Sequence, residues 1–135
     1  MDKNFQLIVY IKKELEVEIR RAIKENGNEV DLNYIDESTI TDMRGMFSDT
    51  IFNRDISKWN VSSVRNMSAM FINSKFNRDI ANWNVANVED MSLMFLNSKF
   101  NRDLSNWKVS SVKNMNLMFR NSSFKGDVST GMLMK

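Results

Sequence analysis

The chain reads as a short α/β solenoid, built from 24-residue strand–turn–helix units stacked behind an N-terminal capping helix. Three observations predict it. Large apolar residues recur at a constant step of 24. Within each unit their spacing changes midway, from alternating to helical. A charged amphipathic stretch precedes the first unit, where a stack of repeats needs its end shielded from water.

Residues 1–31 form the predicted cap. In the stretch from about 12 to 26, Leu15, Ile19, Ala22 and Ile23 share one helical face, with Glu, Lys and Arg elsewhere. Gly27 stands where a helix stop is expected. Phe5 to Tyr10 adds a short strand or an extended lead-in.

Residues 32–135 form the repeat region. A partial unit at 32–51 is followed by full units at 52–75, 76–99 and 100–123, and by a truncated unit at 124–135. The columns are Phe52, Phe76, Phe100 and Phe124; Trp59, Trp83 and Trp107; Phe47, Phe71, Phe95 and Phe119; and Met43, Met67, Met91 and Met115. Asp55, Asp79, Asp103 and Asp127 keep the same step. Ile56-x-x-Trp59-x-Val61 has strand spacing. Val64, Met67, Met70 and Phe71 lie on one face of a helix, with Ser63 as N-cap. Asn73, Asn97 and Asn121, with Asp49 before them, are residues that tolerate the left-handed conformation at helix ends. Val128, Gly131 and Leu133 match strand positions of the preceding units. The stretch Val128–Leu133 is therefore expected to leave an open sheet edge.

Composition narrows the function classes. There is no cysteine, histidine or proline. Disulfides, thiol nucleophiles and cysteine-ligated metals are excluded. Without histidine, acid–base and metal-assisted catalysis lose their commonest side chain. The net charge of +2 supplies no strong field for nucleic acid or an anionic membrane. The apolar run Leu7–Ile11 meets Lys12 and Lys13 at once, too short for a signal-peptide core or a membrane span. The expectation is a protein that is not an enzyme, takes no cofactor or metal, binds no nucleic acid and does not insert into a membrane.

The segment Phe-Asn-Arg-Asp-Ile-Ser-Lys-Trp-Asn-Val-Ser-Ser-Val-Arg-Asn-Met-Ser-Ala-Met-Phe at 52–71 resembles the BspA-type leucine-rich-repeat proteins. Within them it resembles the branch described as mycoplasma-type lipoprotein repeats or a bacterial surface-protein domain of unknown function. The stretches Gly27–Asp36 and Asp42–Phe47 are similar to that family's first unit. The resemblance covers roughly residues 10 to 130. It implies a right-handed, leucine-rich-repeat-like solenoid on a bacterial surface, engaged in adhesion or protein contact, with no catalytic residues. This chain carries neither a recognisable export signal nor a lipid-anchor cysteine. Its Arg54, Arg78 and Arg102 stand where the family often has glycine.

The candidate recognition face is the outward side of the expected strands: Ser57, Lys58 and Asn60; Ala81, Asn82 and Asn84; Ser105, Asn106 and Lys108. An idle solvated face would look the same. Arg54, Arg78 and Arg102 form either an Arg–Asp surface ladder or a row of guanidiniums for a polyanion. The methionine pairs read as core filling in preference to a soft-metal site. The tryptophans read as an inward stack in preference to an aromatic platform. Asn53, Asn77 and Asn101 are expected to satisfy backbone groups at a turn. The function expected is non-catalytic binding of a protein or glycan. The alternative is self-assembly, as a homodimer through the Val128–Leu133 edge.

Overall fold

The structure, a computed structural model, describes residues 5–133. Its regular elements are few. Strand β1 is Leu7–Ile8, helix α1 is Lys12–Asn26, strand β2 is Ile35–Asp36, and helix α2 is Thr130–Leu133. The two strands make one parallel sheet, with Leu7 opposite Ile35 and Ile8 opposite Asp36.

This corrects the expected fold class. Among the described residues no right-handed, leucine-rich-repeat-like solenoid of strand–turn–helix units is present. From 52 to 123 the described backbone holds turns and isolated bridges, with neither a strand nor a helix. The physical cause is turn chemistry. The Asp55 carboxylate accepts the Ser57 N–H at 2.8 Å, and the Asn60 amide oxygen accepts the Ser62 N–H at 3.1 Å. The Asn66 amide oxygen accepts the Ser68 N–H at 2.9 Å. Each is an Asx turn, in which a side chain takes the backbone N–H two residues on and bends the chain. The Trp59 N–H then closes onto the Ile56 carbonyl at 3.1 Å, and Val64 onto Val61 at 3.0 Å. The expected strand is thereby folded into two corners.

The expected helix fails for a second reason. Ala69, Leu93 and Leu117 have φ of 55°, 60° and 58°, and Gly45 takes 61° at the same place in the first unit. A left-handed residue in mid-run ends a right-handed helix. What remains is a series of i→i+3 closures, such as Met70 N–H to Met67 O at 3.2 Å and Ile72 N–H to Ala69 O at 3.2 Å.

The left-handed residues have a compensation between repeats. N–H groups of Met43, Gly45, Phe47 and Asp49 donate forward to the carbonyls of Asn66, Ser68, Met70 and Ile72 at 2.9–3.0 Å. Met67, Ala69, Phe71 and Asn73 donate likewise to the next repeat, and Met91, Leu93, Phe95 and Asn97 to the one after. Side chains follow the same register. Phe47, Phe71, Phe95 and Phe119 stack at centroid spacings of 5.5, 5.6 and 5.6 Å. Phe52, Phe76, Phe100 and Phe124 form a second column at 6.2–6.4 Å. The interior Met, Val and Phe residues are fully buried around these columns, and burial of this apolar surface is what holds the turns together.

Helix α1 buries Leu15, Ile19 and Ala22. Its start is held by Glu14, whose carboxylate accepts the N–H groups of Tyr10 and Ile11 at 2.9 and 3.2 Å. It ends at Gly27, with φ of 86°. Arg20 donates to the carbonyls of Ser48 at 3.0 Å and Gly45 at 3.4 Å. Burial pulls the Asp42 carboxyl up, but hydrogen bonds from Arg44 and the charges of Arg44 and Lys12 hold it below its ordinary range. The helix thus lies along the first turn series, from Asp42 to Ser48.

The stretch Val128–Leu133 is also corrected as a strand edge. Val128 makes one parallel bridge to Leu104, and the chain then turns into α2. Leu104 N–H donates to Asp127 O at 2.9 Å. Beyond the bridge, the backbone at 130–133 is helical, so it satisfies its hydrogen bonds locally and presents no extended edge.

Candidate binding surface

The Asx turns decide where the outward side chains go. Ser57 and Lys58, Ala81 and Asn82, and Ser105 and Asn106 are the central residues of three equivalent turns. They stand at corners of the molecule and not along strands. The structure gathers Ala81, Asn82, Asn84, Asn106 and Lys108 around one groove of about 450 Å³, floored by Trp83 and Val85 and edged by Ala86. Ser57, Lys58, Asn60 and Ser105 lie outside it. The groove spans the middle and third units, and Ala81 and Ala86 stand in it where the other full units have serines at 57, 62, 105 and 110.

The polar groups of the groove divide in two. Asn84 is occupied, since its amide oxygen accepts the Ala86 N–H at 3.1 Å. The side-chain amides of Asn82 and Asn106 make no hydrogen bond among the described residues, and both are exposed. Lys108 stands where Asn60 and Asn84 stand in the other units, so the third unit lacks that Asx turn and carries an ammonium group instead. The site offers amide donors and acceptors and one cation beside an indole, a combination suited to hydrogen-bonding a polar ligand over an apolar floor.

The arginine row reaches backbone carbonyls. Arg54 donates to the Glu29 carbonyl at 2.6 Å, Arg78 to Asn53 O at 3.2 Å, and Arg102 to Asn77 O at 3.1 Å. Each guanidinium binds the backbone of the preceding repeat. Asp55, Asp79 and Asp103 accept the N–H groups of Ser57, Ala81 and Ser105. Ser57 hydrogen bonds hold the Asp55 carboxyl below its ordinary range, with Lys58 and Arg78 adding charge. Arginine and aspartate are thus spent on backbone groups and not on one another.

Asn53 and Asn77 accept the backbone N–H groups of Asn77 and Asn101 at 2.9 Å, so that row satisfies the turn. The indoles are buried, and Trp59, Trp83 and Trp107 donate to the carbonyls of Leu32, Ile56 and Ile80 at 3.3, 3.0 and 2.9 Å. The methionines at 43, 46, 67, 70, 91 and 94 are buried in the core. Among the described residues no cluster of three or more acidic side chains is placed to hold a metal ion, and no helix is long and apolar enough to cross a membrane.

Sequence reasoning missed Glu37. Only 3% of it is exposed, and its Oε1 has no hydrogen-bond partner among the described residues. Burial pushes its carboxyl up to about 7, against backbone hydrogen bonds from Glu37 itself and Asn60. A signal was available: Glu37 heads the column Val61, Val85 and Val109, whose step of 24 places a carboxylate in an apolar column.

A second hollow of about 420 Å³ lies beside the column Arg65, Glu89 and Lys113. Glu89 is 3.5 Å from each cation. Exposed pairs of this kind contribute little to stability.

No curated protein and no solved structure matches the chain. One family does, over residues 17–130, and it is described as a Mycoplasma protein of unknown function, DUF285. With most of the chain matched, from the middle of α1 to the start of α2, the protein belongs to this DUF285 family.

Proposed function

We propose that the protein is a non-catalytic binding module that contacts a protein or glycan at a bacterial surface. The observation that carries this reading is the groove at Asn82, Asn106 and Lys108 above Trp83. Two exposed amides and an ammonium group line it, and the amides form no side-chain hydrogen bond among the described residues. Such groups match the hydroxyl and carbonyl groups of a sugar or a peptide. The resemblance to BspA-type surface repeats supports the bacterial-surface setting and the adhesive role. Chemistry on a bound ligand has no comparable support, since the repeated carboxylates are committed to backbone N–H groups.

The experiment is a binding screen of the whole chain against immobilised bacterial and host glycans and extracellular-matrix proteins. It is repeated with the triple variant Asn82→Ala, Asn106→Ala, Lys108→Glu. All three side chains are exposed, so the variant should keep its melting temperature. Loss of binding in the variant supports the reading. A hit that binds both proteins equally, or a panel with no hit, refutes it.

A further inference from the structure

The corner at Val109–Val112 differs from its equivalents in the other full units. In the first, the Asn60 amide oxygen accepts both the N–H and the hydroxyl of Ser62, at 3.1 and 2.6 Å. In the second, the Asn84 amide oxygen accepts the Ala86 N–H at 3.1 Å. In the third, Lys108 takes the asparagine's place, so Ser110 loses its acceptor within its own unit, two positions earlier. The N–H groups and hydroxyls of Ser110 and Ser111 make no hydrogen bond among the described residues. Val112 N–H closes onto Val109 O at 3.0 Å, which makes these two serines the central residues of a tight turn, and both are exposed.

Lysines flank this turn on both sides, in the run Lys108-Val109-Ser110-Ser111-Val112-Lys113. Lys108 lines the groove beside Asn82 and Asn106, and Ser110, Ser111 and Lys113 line the hollow beside Arg65 and Glu89. Ala86 edges the first and Asn87 the second, so the two depressions meet at this corner. Together they hold three cations, Arg65, Lys108 and Lys113, against the one carboxylate of Glu89. Glu89 stands 3.5 Å from both Arg65 and Lys113. That is beyond the about 2.7–2.9 Å of a strong charge-assisted bond, so an arriving anion can compete for both cations. The large apolar side chains of the lining, Trp83, Val85 and Val112, are buried. The surface therefore offers hydroxyl, amide and charged groups, and no exposed anchor of the kind that peptide partners bury.

We propose that the Lys108–Lys113 turn is an oxyanion site, and that the ligand of the joined depressions is an acidic saccharide bearing a sulfate ester or a carboxylate. Its anionic group accepts from the N–H groups and hydroxyls of Ser110 and Ser111 and pairs with Lys108 and Lys113. Hydroxyls of the neighbouring ring reach the amides of Asn82 and Asn106. Successive N–H groups in a turn form concavities that favour anions, and the cations beside them add charge-assisted hydrogen bonds. The neutral part of this site rests on the groove already proposed as the binding surface, whereas the anionic part stands on the turn.

Amide chemical shifts of the full chain are followed with inorganic sulfate, a chondroitin sulfate tetrasaccharide, its desulfated counterpart and the neutral tetramer of N-acetylglucosamine. Sulfate should shift the amides of Ser110 and Ser111. The chondroitin sulfate tetrasaccharide should bind about tenfold more tightly than the neutral tetramer. Retention of that preference by the desulfated saccharide identifies the carboxylate as the bound group, and its loss identifies the sulfate ester. Ser110→Ala with Lys113→Gln, both outside the groove, should remove the preference and leave neutral binding unchanged. Glu89→Gln should tighten acidic binding about threefold. Equal affinity for acidic and neutral saccharides in the unaltered protein overturns the proposal and leaves the groove reading in place. Silence of the Ser110 and Ser111 amides with every probe also overturns it. Acidic binding that survives Asn82→Ala with Asn106→Ala refutes the groove reading and supports the turn. Hexaglutamate binding as tightly as the chondroitin sulfate tetrasaccharide overturns the saccharide and assigns the turn to an acidic peptide.

Discussion

Trp83 donates its indole N–H to the backbone carbonyl of Ile56, 27 residues earlier, at 3.0 Å. The bond ties one repeat to the turn of the repeat before it, and it lies in the core, with Trp83 only 4% exposed. Trp83→Ala should cost about 3–5 kcal/mol in chemical denaturation. Trp83→Phe keeps most of the apolar volume and removes one of the two hydrogen bonds to the Ile56 carbonyl, which still accepts the Trp59 N–H, and should cost about 0.5–1.5 kcal/mol. A loss near zero in both would place the indole outside the core.

Glu37 makes stability depend on pH in the direction opposite to most carboxylates. Its carboxyl is raised from 4.5 to about 7 in the folded protein. The unfolded chain therefore loses this proton more readily than the native state. The contribution is fully present below about pH 4.5 and is lost as pH rises through about 7. Glu37→Gln should flatten that part of the profile. Glu37→Val, which continues the column of Val61, should raise stability at pH 8 by about 1–2 kcal/mol. Thermal melts of the three proteins from pH 4 to 8 test this, and parallel profiles would refute it.

Position 45 isolates the cost of a left-handed residue. Gly45 has φ of 61°, and a Cβ there would meet only Ser48 Oγ at 3.6 Å. Space is available, so Gly45→Ala should cost about 1 kcal/mol through backbone conformation alone. Ala69→Gly, at the equivalent position with φ of 55°, should stabilise by up to about 1 kcal/mol. Urea midpoints that move together in the same direction would contradict the shared cause.

The guanidiniums of Arg54, Arg78 and Arg102 bind carbonyls at the rim, where water can replace them. Changing all three to Gly should leave the circular dichroism spectrum unchanged and lower stability by about 1–3 kcal/mol in total. Collapse of the spectrum would mean that the row is required for folding.

Much of the core was legible because it is written as columns. A step of 24 at Phe, Met, Trp and Val identifies side chains that contact their own equivalents, and the face Leu15, Ile19 and Ala22 marks the buried side of α1. The groove was partly legible: five of its residues were expected on an outward face, but on strands. The expected strands gave way to turn chemistry. Asp55-x-Ser57, Asn60-x-Ser62 and Asn66-x-Ser68 are Asx-turn signals, and they were outweighed by apolar spacing that fits strands and helices equally well. Glu37 does not repeat and is conspicuous only as a break in the column of Val61, Val85 and Val109.

The amino-acid sequence by itself determined which side chains would be interior and that each would meet its counterpart one repeat away, because burial of apolar area depends on composition and period. It did not determine the path of the backbone between them. Ala69, Leu93 and Leu117 take left-handed angles that their own chemistry disfavours. In Ala69 and Leu93 the cost is offset, since their N–H groups reach carbonyls of the next repeat. That exchange, a local conformational cost offset by hydrogen bonds to residues 23 positions away, exists only once the repeats are stacked. Tertiary structure therefore decided the turns and the direction of the hydrogen-bond row.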